Sequence, residues 1–431
     1  MKRSLILCFA SLLPMAASAA DLLDVYHRAQ ANDAEFAAAR AELLAGQEAV
    51  VQGRAGLLPE VALTGNVTRN RSEPDGLPSE SFNSNAWGVQ LTQPVFRMQN
   101  IVAARQGELR TDLAGVLFEQ ARQDLILRVS EAYFEVLNAQ DSLDAVLRLR
   151  EAAEEQLEIA RTSFDVGTVT ITDVHEAQSR FDLANAQVIA AESALDVARD
   201  ALARIVGDDL GELARLREGM SLVAPQPADA ARWAASASEG GFGVRTGMLQ
   251  QQIAAREVER ARAGHLPTVD LVATHGRSNR QNNFASPRTE TSTIGLQFNL
   301  PLYAGGRVSS VSRETAALKM RADSDLESAR RAAALAAREA YLGVTSGMAR
   351  IGALEAAEVS SLSALDANRL GYEVGVRINI DVLNSLTQLA ETRQELARAR
   401  YDTLLAQLRL KAAAGTLDEA ELATLNAMLE P

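Results

Sequence analysis

The chain carries its own pattern twice. Arg54-Ala55-Gly56-Leu57-Leu58-Pro59 returns as Arg262-Ala263-Gly264-His265-Leu266-Pro267, 208 residues later. Glu131-Ala132-Tyr133 returns as Glu339-Ala340-Tyr341, Val166-Gly167 as Val374-Gly375, and Asp173-Val174 as Asp381-Val382, all at that spacing. Pro94-Val95-Phe96 matches Pro301-Leu302-Tyr303 at 207, so one residue was gained or lost between the copies. Ordered matches at one spacing mark a duplication, and a period this long is a doubled half-domain, not a solenoid repeat.

Proline placement draws the plan of each half. Prolines stand at Pro59, Pro74, Pro78 and Pro94, then at Pro225, Pro227, Pro267, Pro287 and Pro301, and the next is Pro431. The two long proline-free tracts between are where long uninterrupted helix is possible. Leu109, Leu113, Val116, Leu117, Leu125, Val129, Ala132, Tyr133, Val136, Leu143 and Leu147 keep helical spacing in the first. The spacing predicts a helix over 98–164 and a copy over 307–372, each roughly 100 Å long. That exceeds an ordinary globule and suggests a coiled-coil tube. Shorter helices are expected near 22–56, 173–205, 231–264 and 381–412. The first two together match the length of the long helix between them, so stacked end to end they would form its partner column.

The proline-marked segments differ. Val61-Ala62-Leu63-Thr64-Gly65-Asn66-Val67-Thr68 and Ile294-Gly295-Leu296-Gln297-Phe298-Asn299-Leu300 alternate apolar with small or polar side chains, and 86–93 and 268–276 do so more weakly. These read as strands with one oily and one wet face, the pattern of a membrane barrel. The polar stretches 70–84 and 279–290 suit surface loops. Four strands close no barrel; two chains would supply eight and three would supply twelve, and an open lumen favours three.

At the N-terminus, Lys2 and Arg3 precede an apolar run from Leu5 to Leu13 and then Ala17-Ser18-Ala19. This is the form of a secretory signal, cut after Ala19 or Ala20. Cys8, the one cysteine, leaves with it, so no disulfide or thiolate metal site is expected. The formal net charge of −13 disfavours nucleic acid and anionic lipid as partners. No later run is apolar enough for a transmembrane helix, so a membrane could be spanned only by a closed barrel.

The residues then resemble the TolC family along the whole chain after the signal. The resemblance is carried by Leu22-Leu23-Asp24-Val25-Tyr26, Ala31-Asn32-Asp33-Ala34-Glu35, Gly264-His265-Leu266-Pro267-Thr268 and Asn299-Leu300-Pro301-Leu302-Tyr303-Ala304-Gly305-Gly306. Gly371-Tyr372-Glu373-Val374-Gly375-Val376-Arg377, running on to Asp381-Val382-Leu383, is similar to the family's periplasmic turn, and Gly415-Thr416-Leu417 to its closing segment. The resemblance implies a mainly α fold with a β-barrel portion. It would be a trimer with a twelve-stranded outer-membrane barrel and a periplasmic α-barrel tunnel of long coiled-coil helices. The expected division is signal 1–20, helix 21–56, strand pair 57–97, hairpin 98–205, equatorial segment 206–230, helix 231–264, strand pair 265–303, hairpin 304–412 and equatorial C-terminus 413–431.

The implied function is an outer-membrane exit duct reaching into the periplasm, passing drugs or secreted proteins. Its implied partners are further copies of itself, outer-membrane lipid, a periplasmic adaptor (membrane fusion) protein and an inner-membrane pump of ABC or RND type, with no cofactor. The alternative is a periplasmic adaptor or coiled-coil scaffold, but such a protein would show one hairpin in a small β domain with a lipoyl-like half motif. Here hairpin, strand pair and turn each occur twice. A passive porin is nearly all strand, and this chain is mostly helical.

The candidate sites lie at the two turns, 165–172 and 373–380. Gly167 and Gly375 would permit tight reversal, and Asp173 and Asp381 have the position of helix N-caps. For Asp381 the resemblance adds a lumen-facing acidic ring at the tunnel mouth. Asn384 stands where many family members place a second aspartate. It also makes Glu158, with Tyr372 of the same chain and Arg377 of a neighbour, a link that holds the tunnel end closed; the family's usual residue at Glu158 is aspartate. His27, His175, His265 and His275 lack ligand spacing, and His175-Glu176 has no second histidine at i+4. Gly305-Gly306 lacks the Lys-Ser/Thr of a phosphate loop. No nucleophile–base pair is present, so no enzymatic activity is expected.

Overall fold

The computed structural model describes residues 19–73, 75–76, 79–208, 210–217, 219–220, 222–281 and 288–430. The expected signal up to Ser18, and parts of both expected surface loops (Pro74, Leu77, Pro78 and 282–287), lie outside them. The chain is two long helices, each flanked by shorter ones, with one sheet. In order it runs α1 Leu22–Asn32, α2 Ala34–Ala55, β1 Glu60–Ser72, β2 Glu80–Phe96, α3 Met98–Asp165, α4 Ile171–Val206, α5 Ala230–Gly240, α6 Phe242–Arg262, β3 Thr268–Gln281, β4 Arg288–Asn299, α7 Arg307–Glu373, α8 Asn379–Ala413 and α9 Glu419–Asn426. With 68 and 67 residues, α3 and α7 run unbroken through the proline-free tracts. α2 and α4 both pack along α3, α5, α6 and α8 along α7, and α3 also touches α6 and α8.

Two expected single helices are broken. The helix expected over 22–56 stops at Asp33, whose carboxylate accepts from Phe36 N at 2.9 Å and caps α2. Asp33 is buried and also pairs with Arg128 of α3 at 2.7 Å. The helix expected over 231–264 breaks at Gly241, where a Cβ would strike the carbonyls of Ala237 and Ala413, and it ends in a short 3₁₀ turn over Ala263–His265. Asp33 and Gly241 stand one repeat length apart, so both halves bend at the same place. The breaks come from tertiary contact, a buried ion pair in one half and a close backbone approach in the other.

The four strands form one antiparallel sheet in the order β1-β2-β3-β4, so the two hairpins join through β2 and β3. The strands extend through much of 70–84 and 279–290, which had been expected as loops. Past the apolar alternation both faces are polar, and side-chain bonds such as Thr68 to Ser84 at 2.7 Å and Asn70 to Ser84 at 2.8 Å accompany the ladder. Directly opposed residues share a face. One face presents Val61, Leu63, Val67, Val89, Leu91, Ile294 and Leu296. On β1 and β4 these apolar side chains are exposed, Val67 at 82%. The other face presents Thr64, Asn66, Thr68, Ser84, Thr274 and Thr293. At the helical end of the sheet, Arg97 grips Asp270 with two hydrogen bonds of 2.7 and 2.6 Å, tying the entry of α3 to β3.

The main core lies where α1, α3, α4, α8 and α9 meet the segment after α4. It buries Tyr26, Leu125, Tyr133, Phe134, Leu202 and Leu404. The segment is held by isolated bridges, Ala20 to Leu213 and Leu216 to Leu429. Tyr133 donates to Ala214 O at 2.7 Å. The halves are joined there by Tyr401, whose hydroxyl donates to Asp141 at 2.6 Å. Burial pushes both the Asp141 carboxyl and the Tyr401 phenol above their ordinary values, so the folded chain favours both protonated forms. The stability tied to Asp141 is present below the unfolded carboxylate pKa and is lost as pH rises through the folded value. That tied to Tyr401 is lost above about pH 10, where the unfolded chain ionises. Tyr401→Phe is therefore expected to cost ~1–3 kcal/mol at neutral pH, by leaving Asp141 without its donor. It should also flatten the fall in melting temperature above about pH 10. An alkaline limb as steep in the variant as in the wild type would assign it to Tyr133, whose phenol burial also raises.

Candidate functional site

The helix-to-helix turns are 166–170 and 374–378, at the end of each hairpin away from the sheet. In each, the second residue is a left-handed glycine, Gly167 at φ +79° and Gly375 at φ +78°. That region costs an L side chain conformational strain, which explains glycine at both positions.

The two turns differ in how the returning helix is capped. Thr170, not Asp173, is the N-cap of α4. Asp173 is three residues further on and reaches back in a capping box, accepting from Thr170 N at 2.8 Å and Thr170 Oγ1 at 2.7 Å. The N-cap of α8 is Ile378, which has no side-chain oxygen, and no side-chain cap hydrogen bond forms. Asp381 is thus not an N-cap either. Among the described residues its carboxylate pairs with Arg377 alone, at 3.6 Å. The same Asp-Val spelling therefore yields a structural carboxylate in one copy and an available one in the other.

Arg377 is 58% exposed. Its stem folds back over Gly371, where a Cβ would strike Arg377 Cγ. Tyr372 packs its ring against the cluster of Leu365, Val382, Leu386 and Leu389, which Leu149 and Ala152 of α3 also flank. Glu158 is paired with Arg161, one turn on, at 2.8 Å, and Arg161 also bonds Gln178 of α4 at 2.8 Å. Among the described residues no hydrogen bond joins Glu158 to Tyr372. An i,i+3 carboxylate–guanidinium pair forms with little loss of freedom, while the tyrosine ring is drawn to the apolar cluster.

Sequence reasoning missed Arg180. From α4 it donates to Asn384 Oδ1 of α8 at 2.9 Å, so the neutral position beside Asp381 is engaged by a cation. It also missed Asn379, buried in the first turn of α8 with neither amide atom hydrogen-bonded. A buried amide without partners is costly, and this one opens α8 directly after the 374–378 turn. Neither signal is local: Arg180 and Asn384 are 204 residues apart. Among the described residues no group of three or more His, Cys, Asp or Glu is placed to hold a metal ion. No described helix is long and apolar enough to cross a membrane.

The family model described as outer membrane efflux protein matches residues 25–208 and 242–416, one stretch in each half. The outer membrane protein TolC of Escherichia coli strain K12 is 34% identical over 422 residues, covering 95% of this chain and 85% of that protein. The alkaline protease secretion protein AprF of Pseudomonas aeruginosa is 33% identical over 424 residues, covering 96% and 88%. Among solved structures, the Campylobacter jejuni CmeC outer membrane channel matches with a TM-score of 0.81 at 16% identity, over 94% of this chain and 89% of that one, which is a likeness of fold.

Proposed function

The chain belongs to the outer membrane efflux protein family, and from that premise we propose that three copies close the duct and that the turns at 374–378 gate it. The protein is an outer-membrane exit duct of the kind that passes drugs and secreted proteins. It works with an adaptor and an inner-membrane pump; we assign the pump to the ABC or RND type.

The observation that carries the trimer is the sheet. β1 and β4 are open edges, and a lipid bilayer has no water to satisfy their free N–H and C=O groups. Edge must therefore meet the edge of another copy. Three sheets make twelve strands, enough to enclose a lumen, whereas side chains would nearly fill eight. Exposed apolar residues along α7, among them Leu335, Leu342, Val359 and Leu370, offer the helical counterpart of those edges.

At the far end, Glu158, Tyr372 and Arg377 are the gate links we propose. The Arg377–Asp381 contact is long and exposed, worth well under ~1 kcal/mol, so Arg377 is available to a neighbouring copy. Asp381, with no capping duty, supplies the acidic ring, and Asn384 beside it leaves that ring with three charges. Gly167 and Gly375 set the reversals. Purified protein in detergent is expected to have the mass of three chains and to conduct in a planar bilayer. A stable monomer with full channel conductance would sink this reading.

A further inference from the structure

Beyond the apolar band, the lipid side of the sheet becomes basic. On β1, Arg69 and Arg71 follow Val67; on β3, Arg277 lies opposite Trp87 of β2; on β4, Arg288 lies opposite Asn279. Strand alternation and the pairing register put all four arginines on the face of Val61, Leu63, Ile294 and Leu296. The opposite face of the same rows carries mostly hydroxyls and amides, such as Asn66, Thr68, Ser84, Ser278 and Thr291. These four arginines therefore lie on the lipid side of the sheet.

Their depth is set by the band they border. Tryptophan favours the membrane–water boundary, and Trp87, 45% exposed and edge-on to the His275 ring at 5.9 Å, stands in the row of Arg277. Arg69, Arg71 and Arg288 lie one to three rows further out, at headgroup level. Two carboxylates share this rim: Glu290 meets Arg277 at 2.9 Å and Glu73 meets Arg71 at 2.6 Å, both pairs exposed. Exposed pairs are weak and exchange readily. Arg69 and Arg288 form no ion pair among the described residues. The rim is thus net positive on a chain whose total charge is −13. Arg69 and Arg288 also stand on the two edge strands, so ring closure makes the rim continuous from copy to copy.

We propose that this rim, Arg69, Arg71, Arg277 and Arg288, is a binding belt for the phosphate groups of phosphorylated glycolipids in the leaflet around the outer end of the barrel. The inference rests on reading the sheet as the membrane barrel. A guanidinium matches phosphate with a two-pronged donor fork, and its long apolar stem lies along the oily band while its head reaches the boundary.

The test is lipid retention by the purified trimer, measured by native mass spectrometry with a bis-phosphorylated glucosamine-disaccharide glycolipid and its dephosphorylated form. The wild type is expected to retain the phosphorylated lipid at a tenfold lower concentration or better. Replacing all four arginines by Gln should remove that preference and leave trimer mass and conductance unchanged, which separates failure of the belt from failure of the duct. Replacement by Lys keeps charge without the fork and should keep an intermediate preference; it carries the test if the Gln variant does not assemble. Equal retention of both lipids by the wild type, or undiminished preference in the Gln variant, overturns the proposal. Displacement of the lipid by an equal concentration of inorganic phosphate overturns it too, because the site would then be one for free anions.

Discussion

Replacing Tyr372 with Phe and Arg377 with Ser is expected to raise single-channel conductance severalfold in a planar bilayer. The Phe keeps the ring against Leu365, Val382, Leu386 and Leu389, so the substitution removes only a hydroxyl that has no hydrogen-bond partner among the described residues. That hydroxyl is available to a link formed in the closed trimer. The Ser removes a guanidinium whose ion-pair partner among the described residues is Asp381 at 3.6 Å. Exposed links of this kind contribute ~0.5 kcal/mol each. Two links in each of three copies then sum to about 3 kcal/mol, a population shift on the order of 100-fold toward the open state. Threefold repetition thus turns weak contacts into a gate. Unchanged conductance in an intact trimer would leave Tyr372 with a packing role and Arg377 as a solvated side chain.

Asp381→Ala is expected to abolish block of the pore by trivalent cations. Three converging carboxylates deepen the local potential at a constriction, and multivalent cations respond most strongly. Asp381 suits that ring because Ile378 leaves it outside any capping box, whereas Asp173 is held by Thr170. The structure changes what to expect at the neighbouring position. Asn384→Asp adds three charges, but Arg180 already reaches that side chain at 2.9 Å and would pair with the new carboxylate. Block should tighten modestly in Asn384→Asp and by about tenfold or more when Arg180→Gln is added, the size of a ~1.4 kcal/mol change. All variants need the same low salt, since screening flattens the differences. Block in Asp381→Ala as strong as in the wild type would place the ring elsewhere.

The doubled plan, the long helices and the strand segments were legible because their signals are local. Proline forbids helix wherever it stands, and apolar spacing of 3.6 or 2 survives in any short window. α3 and α7 accordingly begin soon after Pro94 and Pro301 and end at the turn glycines. The strand ends were not legible after Thr68 or before Ile294, because a strand polar on both faces has no period to read. The breaks at Asp33 and Gly241 were hidden because one aspartate or glycine in an alanine-rich run costs a helix only about 1 kcal/mol.

The site divided in the same way. The sequence determined where the turns fall, which glycines reverse the chain and that an aspartate follows each. Thr170 against Ile378, readable three residues before each aspartate, already separates the capping carboxylate from the available one. Packing alone decided the distant partners: Asp33 with Arg128, Asp141 with Tyr401 and Arg180 with Asn384. The long-range pairs join residues between 95 and 260 positions apart in the chain. No local propensity encodes such contacts, because they exist only once the helices have stacked.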